Sequence, residues 1–571
     1  MTRARRGAAL ALLLFTGLLI RPPSAAAAPD RWLAVFDVEH ASFEDLLALP
    51  NVRRLAHEGG AGLMTLDSRT SFDVRTVWQS LAPNAGGARL IVPVAGPRRS
   101  VALEAADREI GRVIRAASDG SRLVTVLIVS TTSSAGMVGA GDELHPIVFA
   151  SGRHLLASGG PARALTSDST RRVGVVTELD LAPTIAAIFG GRYPGADDGE
   201  PIRIVDQPAP FDLHVRYLAM RRMTVPVQTA AGLYVTLAGL FGVGVLAMRR
   251  RVGARLARAG AWLAMSVPAL AVGLLAAGHL RTLSYATVVP FVVAVTAVGT
   301  AAFAPLARRD LLLAPAAIGW AVLAYFLLEA AVGWTAALTP FLGGSELDGG
   351  RFFGLPNAFI GLLVGASLFA AARLSRLAGT ILVMLVAFLA GLPFAGANLG
   401  GSITLFAAAG LWWAIRPGGR FDLRGVLGAA GVVVVGTAIV LLSHRYLTSA
   451  PTHITRFEET TGRSLSGIWR TFVDRTLVGW RLILSNPFAA IPVVGLGVAL
   501  LAVVRPPAPV RESLRRHPAW RDALLVTLLA GVVAIPVNDS WPAALGLAFG
   551  LGLGGLLYVS LADPAGMMGV E

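Results

Sequence analysis

The sequence contains no cysteine and no lysine, and only 15% of its 571 residues are charged. The absence of cysteine excludes a disulfide framework and a thiolate metal site. The absence of lysine excludes Schiff-base chemistry and a lysine general base. A soluble protein carries about 25% charged residues, so the shortage of charge indicates that much of the surface lies outside water. With 54% hydrophobic residues and a mean hydropathy of +0.64, the composition predicts a membrane protein.

The basic charge is carried entirely by arginine. The 50 basic residues exceed the 35 acidic ones, which gives a net charge of +15 and a pI near 11.2. In a soluble protein this excess favours nucleic-acid binding. In a polytopic membrane protein, cytoplasmic loops collect arginine under the positive-inside rule. We therefore predict that nucleic acid is not a partner and that the arginines mark cytoplasmic turns.

Residues 1–28 have the pattern of a secretory signal peptide. Arg3, Arg5 and Arg6 precede an apolar run at 8–20, and a small-residue tract follows it. A basic segment, a short apolar segment and an alanine-rich cleavage zone are typical of such peptides. The alternative is an uncleaved anchor helix. Both interpretations export the segment that follows.

Residues 29–225 are predicted to form an extracytoplasmic α/β domain. Charged residues are frequent in this region, and no apolar run approaches the ~20 residues needed to span a bilayer. Short β-rich runs alternate with helical ones, which is the pattern of a layered α/β domain. The predicted strands cover 32–38, 123–130 and 146–150, and the predicted helices cover 50–58 and 181–189.

Residues 226–571 consist of long apolar stretches and are predicted to form an all-α polytopic domain of about eleven spans. Arginines fall in alternate turns, which places the α/β domain outside the cell membrane and the C-terminus in the cytoplasm. The predicted spans are 226–248, 261–279, 286–307, 311–333, 358–372, 379–395, 401–415, 425–443, 484–504, 521–537 and 541–562.

Parts of the α/β region resemble the alkaline phosphatase superfamily. In that family a strand ends in a metal-binding aspartate, and a helix with the pattern Pro-Asn-x-x-x-Leu-x-x-x-Gly follows. The segments 34–38 and 49–60 are similar to this opening, and 177–185 resembles the family's Asp-Ile-Ala-Pro-Thr-Ile segment. The resemblance covers about a third of the chain and implies an alkaline-phosphatase-like fold for the exported domain.

The metal centre of that family is largely missing from this sequence. Its hydrolytic members hold divalent cations with several Asp and His residues, including an Asp-His-Gly after a central strand. Here the strand at 123–130 is followed by Thr131-Thr132-Ser133-Ser134, without carboxylate or imidazole. Asp37 remains a candidate metal ligand, and the alternative is an aspartate that caps the strand end. The absence of these metal ligands predicts a degenerate domain without a cofactor or phosphatase activity. Such a domain is expected to bind a glycan, a lipid head group or a partner protein.

Three polar clusters fall at predicted external ends of spans. The first, 345–357, is a loop punctuated by glycine and proline in which Arg351 is a candidate ligand for phosphate or pyrophosphate. The second, 396–402, and the third, 538–541, supply amides and hydroxyls that orient a hydroxyl group or a water molecule. Each cluster alone also fits a polar turn beside the aromatic belt. The candidate substrate-binding residues are Asn357, Asn398, Ser402, Asn538 and Asp539.

The membrane region also resembles O-antigen ligases and lipid-linked glycan polymerases. The similarity lies in 350–357 at the start of a span, a later glycine-rich turn, and a large external loop with Gly462, Arg463 and Trp469. Those enzymes use external-loop arginines and a histidine to handle undecaprenyl-pyrophosphate sugars. The resemblance implies catalytic roles for Arg351, Arg463 and His453.

Together these features predict an integral membrane protein of the cell envelope that handles a lipid-linked or glycan precursor at the outer membrane face. Glycan or phospho-group transfer is the enzymatic hypothesis. The alternatives are a transporter or flippase and a non-catalytic scaffold. Transport predicts a charged pathway through the bilayer, for which Glu329 is the acidic candidate. The predicted partners are membrane lipids, lipid-linked glycans and envelope proteins.

Overall fold

The computed structural model of the protein describes an α/β region and a helical bundle. The predicted signal peptide at 1–28 lies outside the described residues. The described residues are 31–66, 86–92, 99–118, 122–133, 135–140, 142–157, 159–189, 199–248, 251–332, 341–342, 347, 353–416, 419–448, 464–485 and 491–562.

An eight-stranded mixed sheet lies at the centre of the α/β region. Its strands are β1 (Arg31–Val38), β2 (Gly60–Thr65), β3 (Gly86–Val92), β4 (Leu123–Val129), β5 (Leu144–Gly152), β6 (Arg163–Thr166), β7 (Val175–Thr177) and β8 (Arg203–Pro208). They pair in the order β3-β1-β4-β5-β2-β6-β8, and β7 also pairs with β2. β1 is parallel to both β3 and β4, whereas β5 is antiparallel to β4 and β2.

Apolar cores cover both faces of this sheet. Alternate residues of a strand point to opposite faces, so Phe36 packs in one core and Val35 in the other. Nearly every residue of β2 and β4 is buried, as expected for strands covered on both sides. The helices of the described α/β region are α1 (Phe43–Ala48), α2 (Pro50–Glu58), α3 (Arg99–Ala117), α4 (Ala135–Ala140) and α5 (Leu181–Phe189).

The elements predicted in this region are confirmed. The strands predicted at 32–38, 123–130 and 146–150 are parts of β1, β4 and β5, and the helices predicted at 50–58 and 181–189 are α2 and α5. Pro50 opens α2 at a position where no amide donor is needed. Before α5, Thr177 N donates to Asp180 Oδ2 at 2.9 Å in a capping box. Local capping chemistry therefore sets both helix starts.

One continuous helix, α6 (Phe211–Ala247), joins the α/β region to the bundle. Its 37 residues extend for about 55 Å, far beyond the ~30 Å hydrocarbon core of a bilayer. Arg222 is the last charged residue before its apolar part, so the first three turns of α6 stand outside the membrane-spanning segment. The predicted domain boundary at 225 lies inside α6, beside Pro226, which the helix accommodates.

Successive turns of α6 anchor it to the α/β region along one face. His214 Nε2 lies 2.9 Å from Asp142 Oδ2, and Glu143 N donates to the Tyr217 hydroxyl at 3.4 Å. The apolar core also continues across this contact, from β1 through Tyr217 to Leu274 beyond α6. The α/β region is therefore packed against one end of the bundle, which we call the domain-facing end.

The bundle is formed by α6 and the helices that follow it. They are α7 (Ala254–Ala277), α8 (Tyr285–Ala302), α9 (Ala304–Arg309), α10 (Leu313–Ala331), α11 (Phe359–Ala371), α12 (Arg376–Gly391), α13 (Leu399–Ala414), α14 (Leu423–Leu447), α15 (Leu465–Ser485), α16 (Ile491–Val504), α17 (Ala508–Arg516), α18 (Pro518–Val537) and α19 (Trp541–Ala562).

Among the described residues, seven helical segments are long and apolar enough to cross a membrane. They are α6, α7, α8 continued by α9, α10, α14, α18 and α19, and they coincide with seven of the predicted spans. The chain is therefore a multi-pass membrane protein. The other four predicted spans fall on shorter apolar helices, namely α11, α12, α13 and part of α16. The count of eleven spans stays a prediction.

Ion pairs join arginine-rich turns at the end of the bundle remote from the α/β region. Arg373 Nη1 lies 2.8 Å from Asp310 Oδ2, and Arg376 Nη2 lies 2.9 Å from Asp522 Oδ2. The Arg376 guanidinium also lies 4.2 Å from the centroid of a Trp412 ring. These are turns that the sequence predicts to be cytoplasmic. The orientation of the bundle across the cell membrane stays a prediction.

Helix α11 lies in the middle of the bundle. All of its residues are buried, and it packs against α10, α12, α18 and α19. Gly361 permits the close contact with α19, because a Cβ atom at this position would lie 1.7 Å from the backbone oxygen of Ala544. The approach of these two backbones therefore requires a residue without a side chain.

Replacing Gly361 by alanine is expected to destabilise the bundle by about 2 kcal/mol, because the added methyl group forces α11 and α19 apart. The matched control is Gly428→Ala in α14, where nothing lies within 4 Å of the added Cβ. The apparent melting temperature of the purified protein in detergent measures both effects. Equal melting temperatures for the two variants would contradict this packing.

Candidate functional site

Three helices, α11, α13 and α19, begin at the domain-facing end of the bundle. Asn357, Asn398 and Asp539 lie within two residues of these three helix starts. The amino-terminal end of a helix carries partial positive charge and unpaired backbone N–H groups. Converging helix starts therefore favour a bound anion.

Hydrogen bonds link the turns that precede these helices. Asn398 Nδ2 donates to Asn357 Oδ1 at 2.9 Å and to the Leu355 carbonyl oxygen at 2.8 Å. Asn398 Oδ1 accepts from Gly401 N at 2.8 Å and so caps α13. Asn357 Nδ2 in turn donates to Asp539 Oδ1. We call Asn357, Asn398, Asn538 and Asp539 the amide cluster.

Two polar atoms near these helix starts are buried without a partner in the described part of the chain. Asn538 Nδ2 donates to Thr404 Oγ1 at 3.4 Å and to Ala534 O at 3.3 Å. Asn538 Oδ1 and Ser402 Oγ are buried, and neither has a hydrogen-bond partner among the described residues. Leaving such an atom unpaired costs about 1–3 kcal/mol, so each calls for an explanation. A polar group bound beside Asn538 would supply the partner that its Oδ1 lacks.

Two arginines flank the amide cluster from different parts of the chain. Arg475 of α15 donates from Nη1 to the Val537 carbonyl oxygen at 2.6 Å. Arg171 of the α/β region donates from Nη1 to the Pro393 carbonyl oxygen at 3.0 Å. Its guanidinium also lies 4.0 Å from the centroid of the Phe353 ring, a favourable cation–π contact. The α/β region thus contributes a cation to the membrane-side cluster.

Helix α15 has an apolar stripe on its exposed surface. Trp469, Val473, Leu477 and Trp480 are exposed along it, and the Trp541 Nε1–H donates to the Thr476 carbonyl oxygen at 3.3 Å. This contact holds α15 against the start of α19. An exposed apolar stripe of this kind suits the interfacial layer of a bilayer.

The structure brings together the candidate substrate-binding residues of all three predicted clusters. Arg351, His453 and Arg463, the candidate catalytic residues, lie outside the described residues, so their roles stay predictions. Sequence analysis did not select Arg171, because nothing in its local sequence shows that it meets a loop more than 200 residues away. Arg475 likewise meets the Val537 carbonyl oxygen 62 residues away, a contact that its local sequence does not show. Asn357, Asn398, Asn538 and Asp539 converge, whereas Ser402 Oγ lies beside Gly391 of α12.

The second site of interest is the edge of the sheet at the carboxyl ends of β1 and β4. Asp37, near the end of β1, accepts hydrogen bonds from Thr131 N at 3.2 Å and Thr131 Oγ1 at 2.6 Å. In the part of the chain that the structure describes, no three His, Cys, Asp or Glu side chains are grouped to hold a metal ion. The described residues at this edge do not fit a two-cation centre, and metal binding at Asp37 stays a prediction.

A histidine and a serine lie beside Asp37 at this edge. His145 is buried, with Nδ1 2.8 Å from the Ser130 carbonyl oxygen and Nε2 3.4 Å from Ser133 Oγ. Burial lowers the pKa of His145, although the Ser130 hydrogen bond acts in the opposite direction. The sequence suggests His145 only as a second metal ligand beside Asp37, because Ser133 is 12 positions away and the two side chains meet only in the folded sheet.

Glu329, the acidic residue predicted inside a span, is buried near the domain-facing end of α10. Its Oε1 lies 2.8 Å from His279 Nε2, and the same imidazole nitrogen lies 3.2 Å from the Tyr325 hydroxyl. The carboxylate is therefore paired inside the protein. A buried carboxylate with a partner avoids most of the cost of burying an isolated charge.

Comparison of the chain with protein-family models, curated proteins and solved structures finds no match. Fold and site geometry alone define its class. It is an integral, multi-pass membrane protein whose bundle has a mixed α/β region packed on one end.

Proposed function

We propose that the protein binds the anionic head group of a lipid-linked envelope precursor, such as a lipid-linked glycan, at the amide cluster. The observation that carries the proposal is that three helix starts meet at the amide cluster and that Arg475 and Arg171 bind the turns beside it. In this proposal the α/β region is an exported, alkaline-phosphatase-like domain that recognises the precursor and does not hydrolyse phosphate esters.

The chemistry of a phosphate group matches this arrangement. Guanidinium groups bind phosphate oxygens through charge-assisted hydrogen bonds, and helix starts add further N–H donors. The cluster lies at an end of the bundle, so a bound head group would leave its lipid chain in the bilayer. Glycan or phospho-group transfer at this position would use the candidate catalytic residues Arg351, His453 and Arg463.

The proposed orientation follows from the charges at the two ends of the bundle. The arginine-rich end lies in the cytoplasm and the domain-facing end lies outside. The precursor is therefore bound at the outer membrane face, with residues 29–225 extracytoplasmic and the C-terminus cytoplasmic.

Binding is tested with the full-length protein in nanodiscs and a polyprenyl phosphate as the probe. Arg171→Gln and Arg475→Gln are each expected to weaken binding at least about 10-fold, because each removes a charge-assisted hydrogen bond. Arg445→Gln is the matched control, since Arg445 is exposed on α14 near the same end. Wild-type affinity in both test variants, or equal competition by phosphatidylglycerol, would count against the proposal.

A flippase is the second candidate function, and the short central helices favour it. Helices α11 and α13 have 13 and 16 residues, about 20 and 24 Å, against a ~30 Å hydrocarbon core. Discontinuous or short helices whose starts face an anion are found in transporters. Movement of a fluorescent polyprenyl phosphate across vesicle leaflets would support this candidate over transfer.

A further inference from the structure

The crevice between the carboxyl ends of β1 and β4 has the position at which open α/β sheets bind ligands. β1 and β4 are parallel neighbours, so their carboxyl ends meet at one edge of the sheet, the edge at which open α/β sheets bind ligands. Ser133 follows β4, and His145 lies at the start of the antiparallel β5. Both residues therefore reach the same edge of the sheet.

The hydrogen bonds of His145 fix its tautomer. A carbonyl oxygen only accepts, so the Ser130 oxygen 2.8 Å from Nδ1 requires the proton on Nδ1. The neutral ring then presents the Nε2 lone pair to Ser133 Oγ at 3.4 Å. A hydroxyl, a base that faces it and a group that orients the base are the parts of an activated nucleophile. Such contacts are often long before substrate binds.

The loop that carries Ser133 is held on both sides. Ala41 N donates to Ser130 Oγ at 3.2 Å, and His40 N donates to the Thr132 carbonyl oxygen at 3.1 Å. The His40 ring donates from Nδ1 to the Ser133 carbonyl oxygen at 2.8 Å. His40 has a φ of 59°, a left-handed conformation that costs about 1–3 kcal/mol outside glycine and clusters at active sites.

The charges at this edge select the substrate class. The Asp37 carboxylate acts on His145, so a phosphate anion would meet repulsion there, whereas the Asp142 carboxylate is paired with His214. A neutral carboxylic ester has no such penalty. Ser133 is half-buried, which leaves its hydroxyl within reach of an acyl group.

We propose that Ser133 and His145 form a metal-independent site for hydrolysis of carboxylic esters, with Ser133 as nucleophile and His145 as general base. The Ser133 oxygen attacks the ester carbonyl carbon while its proton passes to His145 Nε2. The bond to the leaving alcohol then breaks, and the alcohol takes that proton. Water attacks the acyl-serine, His145 accepts its proton and returns it to Ser133, and the carboxylic acid is released. This site is independent of the head-group proposal.

Labelling of the full-length protein with a fluorophosphonate probe tests the site. We expect one adduct on Ser133, its loss in Ser133→Ala, and labelling at least about 100-fold slower in His145→Gln, the scale of general-base catalysis. Hydrolysis of p-nitrophenyl butyrate should fall in parallel. The matched control is Ser151→Ala, because Ser151 lies on β5 with its hydroxyl 3.0 Å from Thr125 Oγ1, at the opposite end of the strand.

The Ser133→Ala variant separates a loss of chemistry from a loss of folding. Ser133→Ala removes only the hydroxyl, so its melting temperature should equal that of the wild-type protein. Absence of an adduct in the wild-type protein, an adduct on another residue, or unchanged labelling of Ser133 in His145→Gln overturns the proposal.

Discussion

Replacing Asn398 by alanine is expected to lower the free energy of unfolding of the bundle by about 3 kcal/mol. The change removes the cap of α13 at Gly401 N, which is worth about 1 kcal/mol. It also removes the donors to Leu355 O and Asn357 Oδ1, and a buried acceptor left unpaired costs about 1–3 kcal/mol. Thermal unfolding in detergent measures the loss as a lower apparent melting temperature.

Two further variants separate the cap from the buried network. Asp422→Ala removes a comparable cap, at Gly425 N of α14, from an exposed position without a buried network, so its cost should stay near about 1 kcal/mol. Asn398→Asp keeps the cap acceptor but places an oxygen opposite Leu355 O, so it should be as destabilising as alanine. Equal melting temperatures for Asn398→Ala and Asp422→Ala would show that the network adds nothing.

The stability of the contact between α6 and the α/β region is expected to fall by about 3 kcal/mol as pH rises from 6.5 through 9. His214 is fully buried between Glu44 Oε1 at 2.8 Å and Asp142 Oδ2 at 2.9 Å. Burial alone lowers the pKa of His214, but the two carboxylates outweigh it and raise the pKa to about 9. The stabilisation that a raised folded-state pKa provides is complete below the unfolded-state pKa near 6.5. It is lost as pH rises through 9.

Melting temperatures measured from pH 6.5 to 10 check this expectation. The window is favourable because the chain has no lysine or cysteine to titrate within it. His214→Gln should be destabilised at pH 6.5 and should lose the pH dependence, since it leaves two carboxylates without a cation. His57→Gln is the matched control, because His57 is half-buried and bonded to the Pro161 carbonyl oxygen, without a carboxylate partner among the described residues. A wild-type slope in His214→Gln would contradict the assignment.

Much of the fold could be predicted because it depends on neighbouring residues. The β-rich run of β1, the proline that opens α2 and the capping box before α5 are local patterns, and all three elements form where they were expected. The continuity of α6 was not predicted, because Pro226 and the change in composition suggested a boundary there. A membrane helix tolerates such a proline when its neighbours satisfy the backbone.

The candidate sites also combine features that the local sequence shows with contacts that it does not show. The polar clusters at 396–402 and 538–541 were visible as breaks in apolar runs. The contacts between these clusters were not visible in the sequence. Asn357 and Asp539 are 182 residues apart and meet only because α11 and α19 start side by side. Arg171 reaches the bundle only because the α/β region packs on it.

The sequence by itself therefore determined the class of the protein, an α/β region followed by a multi-pass membrane region, because hydropathy and charge act residue by residue along the chain. The tertiary structure alone decided which side chains share a site. His214 meets Asp142, Ser133 meets His145, and the amide cluster assembles. The physical reason is that hydrogen bonds and ion pairs act over about 3–4 Å, so they depend on which elements are neighbours in space.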